Sequence, residues 1–277
     1  MKRAPRSRQR HDLYAKYHDY DSEISDLLGE CGLTLNRPKA MNAMNMALVA
    51  ELDRRLAQIA VDDAIRVLVV AGTGPAFCAG ADLKEVLASQ KAEPREADFL
   101  DRADATLACL RNFPKPVIAA LNGVTMAGGL EMAMCADIVI AAESAVIGDA
   151  HANFGVYPGA GGAAVLPRII PQNVAMYLLL TGKTLSAAEM KAYGFVSEVH
   201  PDGELADAAM KLAGQIAAKS PIVLRRMREV ARTSADKSRD DALLHEQVML
   251  RRHLRSFDLQ EGLLAFAEKR APQFQGR

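Results

Sequence analysis

Apolar and polar positions change period several times along the 277-residue chain, and these changes mark out its elements. In AMNMALVAELDRRLAQIA (43–60), Met46, Val49, Leu52, Leu56 and Ile59 recur at helical spacing and share one face. IRVLVVAG (65–72) is a near-continuous apolar run ending in glycine, the pattern of a parallel strand buried on both faces. GADLKEVLAS opens a helix, ADATLACLRNF is helical, and KPVIAALNG is a strand that ends in Asn-Gly. GGLEMAMCA predicts a short helix, DIVIAAE and AVIGDA two strands, and NFGVYPGAGGAAVLPRII a Gly/Pro loop running into a helix. MYLLLTGKTLSAAEMKAYGFVSEVH predicts helix, turn, helix and a short strand; LTLNRP (33–38) reads as a strand end closed by a turn at Pro38. Strands alternating with helices predict an α/β fold, and the charged stretch from Asp202 onward a C-terminal helical region. Residues 1–30 are polar and poorly patterned, and residues 20–32 do not read as a hairpin. The expected organisation is therefore a poorly patterned segment over 1–30, a core over 31–201 and a helical region over 202–277.

Composition narrows the function classes. Apolar residues make up 50% of the chain, enough to bury a sizeable core at this length. Thirty-four Lys and Arg balance 34 Asp and Glu, so no global basic field draws the chain to nucleic acid, and 5% aromatics offer little for base stacking. A local basic pocket for a phosphorylated small molecule stays compatible with that balance. Cys31, Cys78, Cys109 and Cys135 are far apart and show no metal-ligand spacing, so no metal site is expected. They read as reduced thiols of an intracellular, cytoplasmic protein. No apolar run reaches the ~18 residues of a membrane span. MKRAPRSRQRH is basic without the apolar core of a secretory signal and reads as a solvated tail, with an organellar transit peptide as the alternative.

Strand, small residues, helix start: this succession occurs twice, in FCAGADLKEV (77–86) and VTMAGGLEMAM (124–134). The first N–H groups of a helix have no intrahelical partner and favour negative charge or a polarised oxygen. Gly and Ala keep side chains off those donors. Two such turns, if they converge, can grip one carbonyl oxygen; close helix–strand packing is the bland explanation of either turn alone. Glu131 lies in the first turn of the second helix, among Met, Ala, Leu and Cys. It reads either as a surface group complementing the helix N-terminus or, given its apolar surround, as a general acid or base.

Six segments, in order, resemble the crotonase (enoyl-CoA hydratase/isomerase) superfamily over roughly residues 33–277. They are LTLNRPKAMNAMN, VAGTGPAFCAGADLKEV, FPKPVIAALNGVTMAGGLEMAMCADIVIA, FGVYPGAGGAAVLPRIIP, LTGKTLSAAEMKAYGFVSEV and EGLLAFAEKRAPQF. The resemblance implies a crotonase-like spiral of ββα units, with a C-terminal helical region that builds a homotrimer or a dimer of trimers. It implies an acyl-CoA thioester substrate and no cofactor beyond the coenzyme A which that substrate carries. It puts the thioester oxygen between the N–H groups of Ala81 and Gly128, and the CoA near Ala79, Gly80 and Asp82, with Lys269 reaching the CoA of a neighbouring protomer. Glu131 matches one of the two catalytic glutamates of a hydratase.

The second glutamate is absent. Counting back from GVYPGAGG, its position holds His151 in GDAHANFG. Imidazole moves protons near neutral pH and can take over that role; a structural loop histidine bonded to Asp149, or a pocket-shaping residue, are the alternatives. The expected activity is that of an acyl-CoA lyase that hydrates a 2-enoyl-CoA or dehydrates the product, with Glu131 and His151 as the pair. A 3-enoyl to 2-enoyl isomerase, which needs one base, is the first rival. An enolate-type decarboxylase or C–C hydrolase follows, then a non-catalytic acyl-CoA-binding scaffold, which gains nothing from a buried carboxylate.

Overall fold

A computed structural model describes residues 24–25, 32–89 and 98–277. Most of the expected 1–30 segment lies outside the described residues. Among the described residues ten short strands run in chain order: β1 (Ile24–Ser25), β2 (Gly32–Leu35), β3 (Leu68–Gly72), β4 (Ala76–Cys78), β5 (Val117–Leu121), β6 (Val124–Met126), β7 (Ile138–Ala142), β8 (Val146–Gly148), β9 (Thr184–Ser186) and β10 (Glu198–His200). They form a six-stranded sheet, β1-β2-β3-β5-β7-β10, and a four-stranded sheet, β4-β6-β8-β9. Successive pairs alternate between the sheets: β3 then β4, β5 then β6, β7 then β8. A helix or loop closes each turn, giving the spiral of ββα units. The central pairings are parallel, whereas β1 on β2 and β9 on β8 are antiparallel. Ile24 pairs with Leu35 and Ser25 with Thr34, so the absent hairpin expected for residues 20–32 is corrected: two residues do pair there.

Eleven α-helices fall within the described residues: α1 (Met46–Val61), α2 (Leu83–Ser89), α3 (Phe99–Arg111), α4 (Gly128–Ala133), α5 (Leu166–Ile169), α6 (Gln172–Thr181), α7 (Ala187–Ala192), α8 (Leu205–Ala217), α9 (Pro221–Ser234), α10 (Arg239–His253) and α11 (Phe257–Glu268). Six of these starts are written in side chains. Asn45, Asp98, Ser220, Ser238 and Ser256 each accept a hydrogen bond from a first-turn N–H, and Ser186 forms a capping box with Glu189.

The apolar run of β3 is explained by burial on both faces. Leu68 and Val70 join the main core with Leu48 and Leu52 of α1 and Leu107 of α3. Val67 and Val69, together with Ile118 and Ile140, face Leu205, Ala209 and Ala213 of α8. Among the described residues no helix is long and apolar enough to cross a membrane.

Candidate active site

The loop after β2 holds the first glycine-led turn in place. Asn42 is fully buried with φ 55°; its Nδ2 donates to Thr73 and Ala76 carbonyls at 2.9 and 2.7 Å, and its Oδ1 accepts from Arg37 N at 2.8 Å. Arg37 also donates to the Ala43 carbonyl and pairs with Asp82 at 3.4 Å. The anchored loop then runs alongside the turn. Ala79 N donates to Met41 O, Met44 N to Gly80 O and Asp82 N to Met44 O, at 3.0, 2.8 and 2.8 Å.

These bonds aim the N–H of Ala81. Gly80 O and Ala81 N belong to one trans peptide, whose C=O and N–H point in opposite directions. The carbonyl faces Met44, so the N–H faces away from the loop. The second turn is aimed in the same way: Ala127 O accepts from Glu131 N at 3.0 Å, inside α4, so the N–H of Gly128 points out of the helix. Among the described residues neither N–H donates to another group of the chain. Because α4 is only six residues long, the individual donors matter more here than a macrodipole.

The two turns touch. A Cβ on Gly80, where φ is +105°, would lie 2.9 Å from Ala127 Cβ and 3.1 Å from Gly128 N, and a Cβ on Gly128 would lie 3.5 Å from Ala81 N. Gly80 thus serves the approach of the turns, a role its sequence context did not reveal. Gly129 seats α4 on β4, since a Cβ there would lie 2.0 Å from Cys78 O. Ala127 holds φ 49°, ψ −122°, a sparsely populated conformation for a residue with a Cβ.

Ala81, Gly128, Glu131, His151 and Ala79 all line one cavity of about 240 Å³, whose walls include Met44, Phe99, Leu107 and Met126. Glu131 is 4% exposed. Its Oε1 accepts from Ala160 N at 2.8 Å and Gly162 N at 2.9 Å. The Ala160 carbonyl is in turn held by Arg111 Nη2 at 2.7 Å. Its Oε2 has no hydrogen bond among the described residues and is open to the cavity. The surface reading of Glu131 therefore gives way to a buried carboxylate fixed by one oxygen. The backbone donors at Ala160 and Gly162 escaped the sequence reading. The only available signal was the small-residue run PGAGG.

His151 begins a short 3₁₀ turn, His151–Phe154, just past β8. Its Nδ1 lies 2.9 Å from Asp149 Oδ1. Burial disfavours the imidazolium, but the bond to Asp149 and the charges of Asp149 and Glu131 outweigh it, and the pKa rises above its ordinary value. Thiol chemistry has no support in the core: burial pushes Cys78 up to about 12 and Cys135 up to about 11.

The remaining candidates are not part of the lining of that cavity. Gly80 and Asp82 do not line the cavity; the Asp82 carboxylate turns to Arg37 and to Lys84 N. Lys269 caps α11 in a left-handed conformation, φ 54°, and lies exposed outside this protomer's cavity. The arrangement that does assemble can polarise one carbonyl oxygen and move protons at the carbons beside it.

Known proteins carry the same frame. The family model for enoyl-CoA hydratase/isomerase matches residues 29–277. A "probable enoyl-CoA hydratase" of Mycobacterium bovis is 38% identical over 88% of this chain and 94% of its own. The 2,3-dehydroadipyl-CoA hydratase of Escherichia coli is 36% identical, again over 88% and 94%. The crystal structure of an enoyl-CoA hydratase from Bacillus anthracis superposes with a TM-score of 0.84 at 37% identity, covering 89% of this chain and 95% of that one. With the matched region spanning β2 to β10, the cavity and the C-terminal helices, the chain belongs to the enoyl-CoA hydratase/isomerase family, the crotonase superfamily, and is an enzyme of that family.

Proposed function

We propose that this enzyme adds water across the double bond of a 2-enoyl-CoA, giving a 3-hydroxyacyl-CoA, and catalyses the reverse dehydration. One observation carries the reading: two unengaged backbone donors, a buried glutamate and a histidine converge on a single apolar cavity. The thioester oxygen accepts from Ala81 N and Gly128 N. Glu131 Oε2 takes a proton from water as its oxygen bonds to C3, and the π electrons shift toward C1, placing negative charge on the thioester oxygen. The two donors grip that enolate oxygen more strongly than the ground-state carbonyl, each contributing about 3 kcal/mol in the transition state. Protonated His151 then gives its Nε2 proton to C2. Glu131 ends protonated and His151 neutral, and a proton passing back through water resets the pair. Coenzyme A arrives as part of the substrate, and the chemistry calls for no further cofactor.

Isomerisation of a 3-enoyl-CoA is the second reading, favoured by Glu131 being, among the described residues, the one glutamate that lines the cavity. Incubation with 2-enoyl-, 3-enoyl-, 3-hydroxyacyl- and malonyl-type CoA thioesters, read by mass spectrometry, separates the readings by mass gain, by unchanged mass with a moved double bond, or by loss of carbon dioxide. His151→Ala is expected to cut hydration of a short 2-enoyl-CoA by ~10²-fold, and His151→Glu to restore part of it by recreating a carboxylate pair. Robust hydration by the alanine variant would leave Glu131 working alone with water. If the enzyme is an isomerase, the alanine variant keeps isomerising and the glutamate variant acquires hydration; a pure binding protein turns over nothing in any form.

The same reading includes assembly. Leu263, Leu264 and Phe266 of α11 are 63%, 51% and 86% exposed in the single chain, an apolar surface that association would cover. Gel filtration with light scattering is expected to give a trimer or hexamer. An active monomer at micromolar concentration would remove Lys269 from any shared CoA site, because it lies outside its own protomer's cavity.

A further inference from the structure

We infer that Asp149 is a positioning residue that holds the His151 ring with Nδ1 protonated and Nε2 presented to the cavity, so that a carboxylate–imidazole dyad stands where a second glutamate would. This deepens the proposed function and rests on its reading of His151 as the proton-transfer partner.

The way Asp149 is partnered separates it from the chain's structural aspartates. Asp258 spreads its oxygens over Ser220 Oγ, Gln275 N and Gly276 N. Asp137 pairs with Arg228 and Arg232 and accepts from Val117 N. Asp149 is 1% exposed, yet among the described residues its only partner is His151, through Nδ1 at 2.9 Å and the backbone N at 3.3 Å, both on Oδ1. Its Oδ2 is buried without a hydrogen bond. A carboxylate taken out of water with no cationic partner is costly, and the imidazole is the one group placed to offset it. Removing His151 would leave a buried charge; removing Asp149 would leave the ring free to turn.

The backbone is shaped for this contact. β8 ends at Gly148, and Ala150 takes a left-handed conformation, φ 58°, which curls the chain so that the ring returns to the side chain two residues earlier. Gly162 closes the arrangement from the other side. A Cβ on it would lie 2.4 Å from Asp149 Oδ2, while its N–H holds Glu131 Oε1. One glycine therefore holds the Glu131 carboxylate and leaves room for that of Asp149. An imidazole whose Nδ1–H is fixed by a carboxylate has Nε2 as its working nitrogen. The titratable groups facing the ring are Asp149 and Glu131, with Asp104 and Tyr157 also on the cavity wall. The net upward displacement of the His151 pKa agrees with a ring that is charged when it donates to C2.

Nitrogen-15 NMR of the ring in the unsubstituted full-length protein, assigned through His151→Gln, reads the tautomer directly. Above its titration the neutral ring is expected to carry its proton on Nδ1; a proton on Nε2 would overturn the inference. Asp149→Asn keeps the shape and removes the charge. The His151 titration should then move to lower pH by about one unit or more. For hydration of a short 2-enoyl-CoA, kcat should fall by about 10-fold or more with KM within about twofold. Because the acid is active when protonated, the loss of kcat/KM on the alkaline side should move to lower pH as well. In a His151→Glu background, Asp149→Asn should cost no further activity. An unmoved titration, or the same loss in both backgrounds, would make Asp149 merely structural. If His151→Ala hydrates normally, the reading of His151 fails, and the tautomer and titration still decide the role of Asp149 on their own.

Discussion

Glu131→Gln is expected to lower kcat for hydration by ~10²-fold or more while CoA-ester binding persists. The glutamine Oε1 can still accept from Ala160 N and Gly162 N, which hold the native Oε1 at 2.8 and 2.9 Å, so the side chain keeps its place. The change falls on the other terminal atom. An amide nitrogen replaces the open Oε2 and cannot take a proton from water. The donors at Ala81 and Gly128 are backbone groups and survive the substitution, so calorimetry with an unreactive acyl-CoA should give a Kd close to that of the parent. Near-normal turnover would return Glu131 to the bland role of a carboxylate in the first turn of α4.

Gly128→Val is expected to abolish activity, ~10³-fold or more in kcat/KM, with folding retained. Backbone strain is not the reason. Gly128 is absent from the positive-φ residues, so a side chain is allowed by its backbone. The reason is position. A Cβ would meet Met44 Cε at 2.7 Å, the far end of a flexible side chain, and would stand 3.5 Å from Ala81 N, beside the paired donor. The two γ-methyls of valine would fill the remaining approach, so a thioester oxygen would lose both N–H groups at once. Gly128→Ala should fall between valine and the parent. Circular dichroism melts monitor folding, and full activity in the valine variant would mean that the carbonyl is held elsewhere. The adjacent Gly129 makes a useful contrast, because its missing Cβ is required by the Cys78 carbonyl and not by the cavity.

The period of the apolar pattern was enough to determine the α/β class, the long helix α1, the buried strands β3, β5 and β7, and the helical character after Asp202. It was enough because each of these elements either repeats a face over several turns or is buried on both sides. The ordered glycine and proline motifs pointed to the family and to Glu131, His151, Ala81 and Gly128, since those signals are local and require particular residue types. β9 went unread, and β4 and β6 showed only as strand ends before the two glycine-led turns: three residues are too few to establish an alternation, and their sheet exists only by pairing with distant segments. β1 escaped for the same reason. The site's directions also lay beyond the sequence. Where the N–H of Ala81 points depends on which group binds the carbonyl of Gly80, and that group is Met44, 36 positions earlier in the chain. Glu131 is gripped by amides 29 and 31 residues away. His151 reaches Asp149 because Ala150 turns left-handed, whereas two residues apart on a strand share a face without having to touch. Tertiary structure decided these points, because the direction of a donor is set by the partners of its neighbours, and those partners come from elsewhere in the chain.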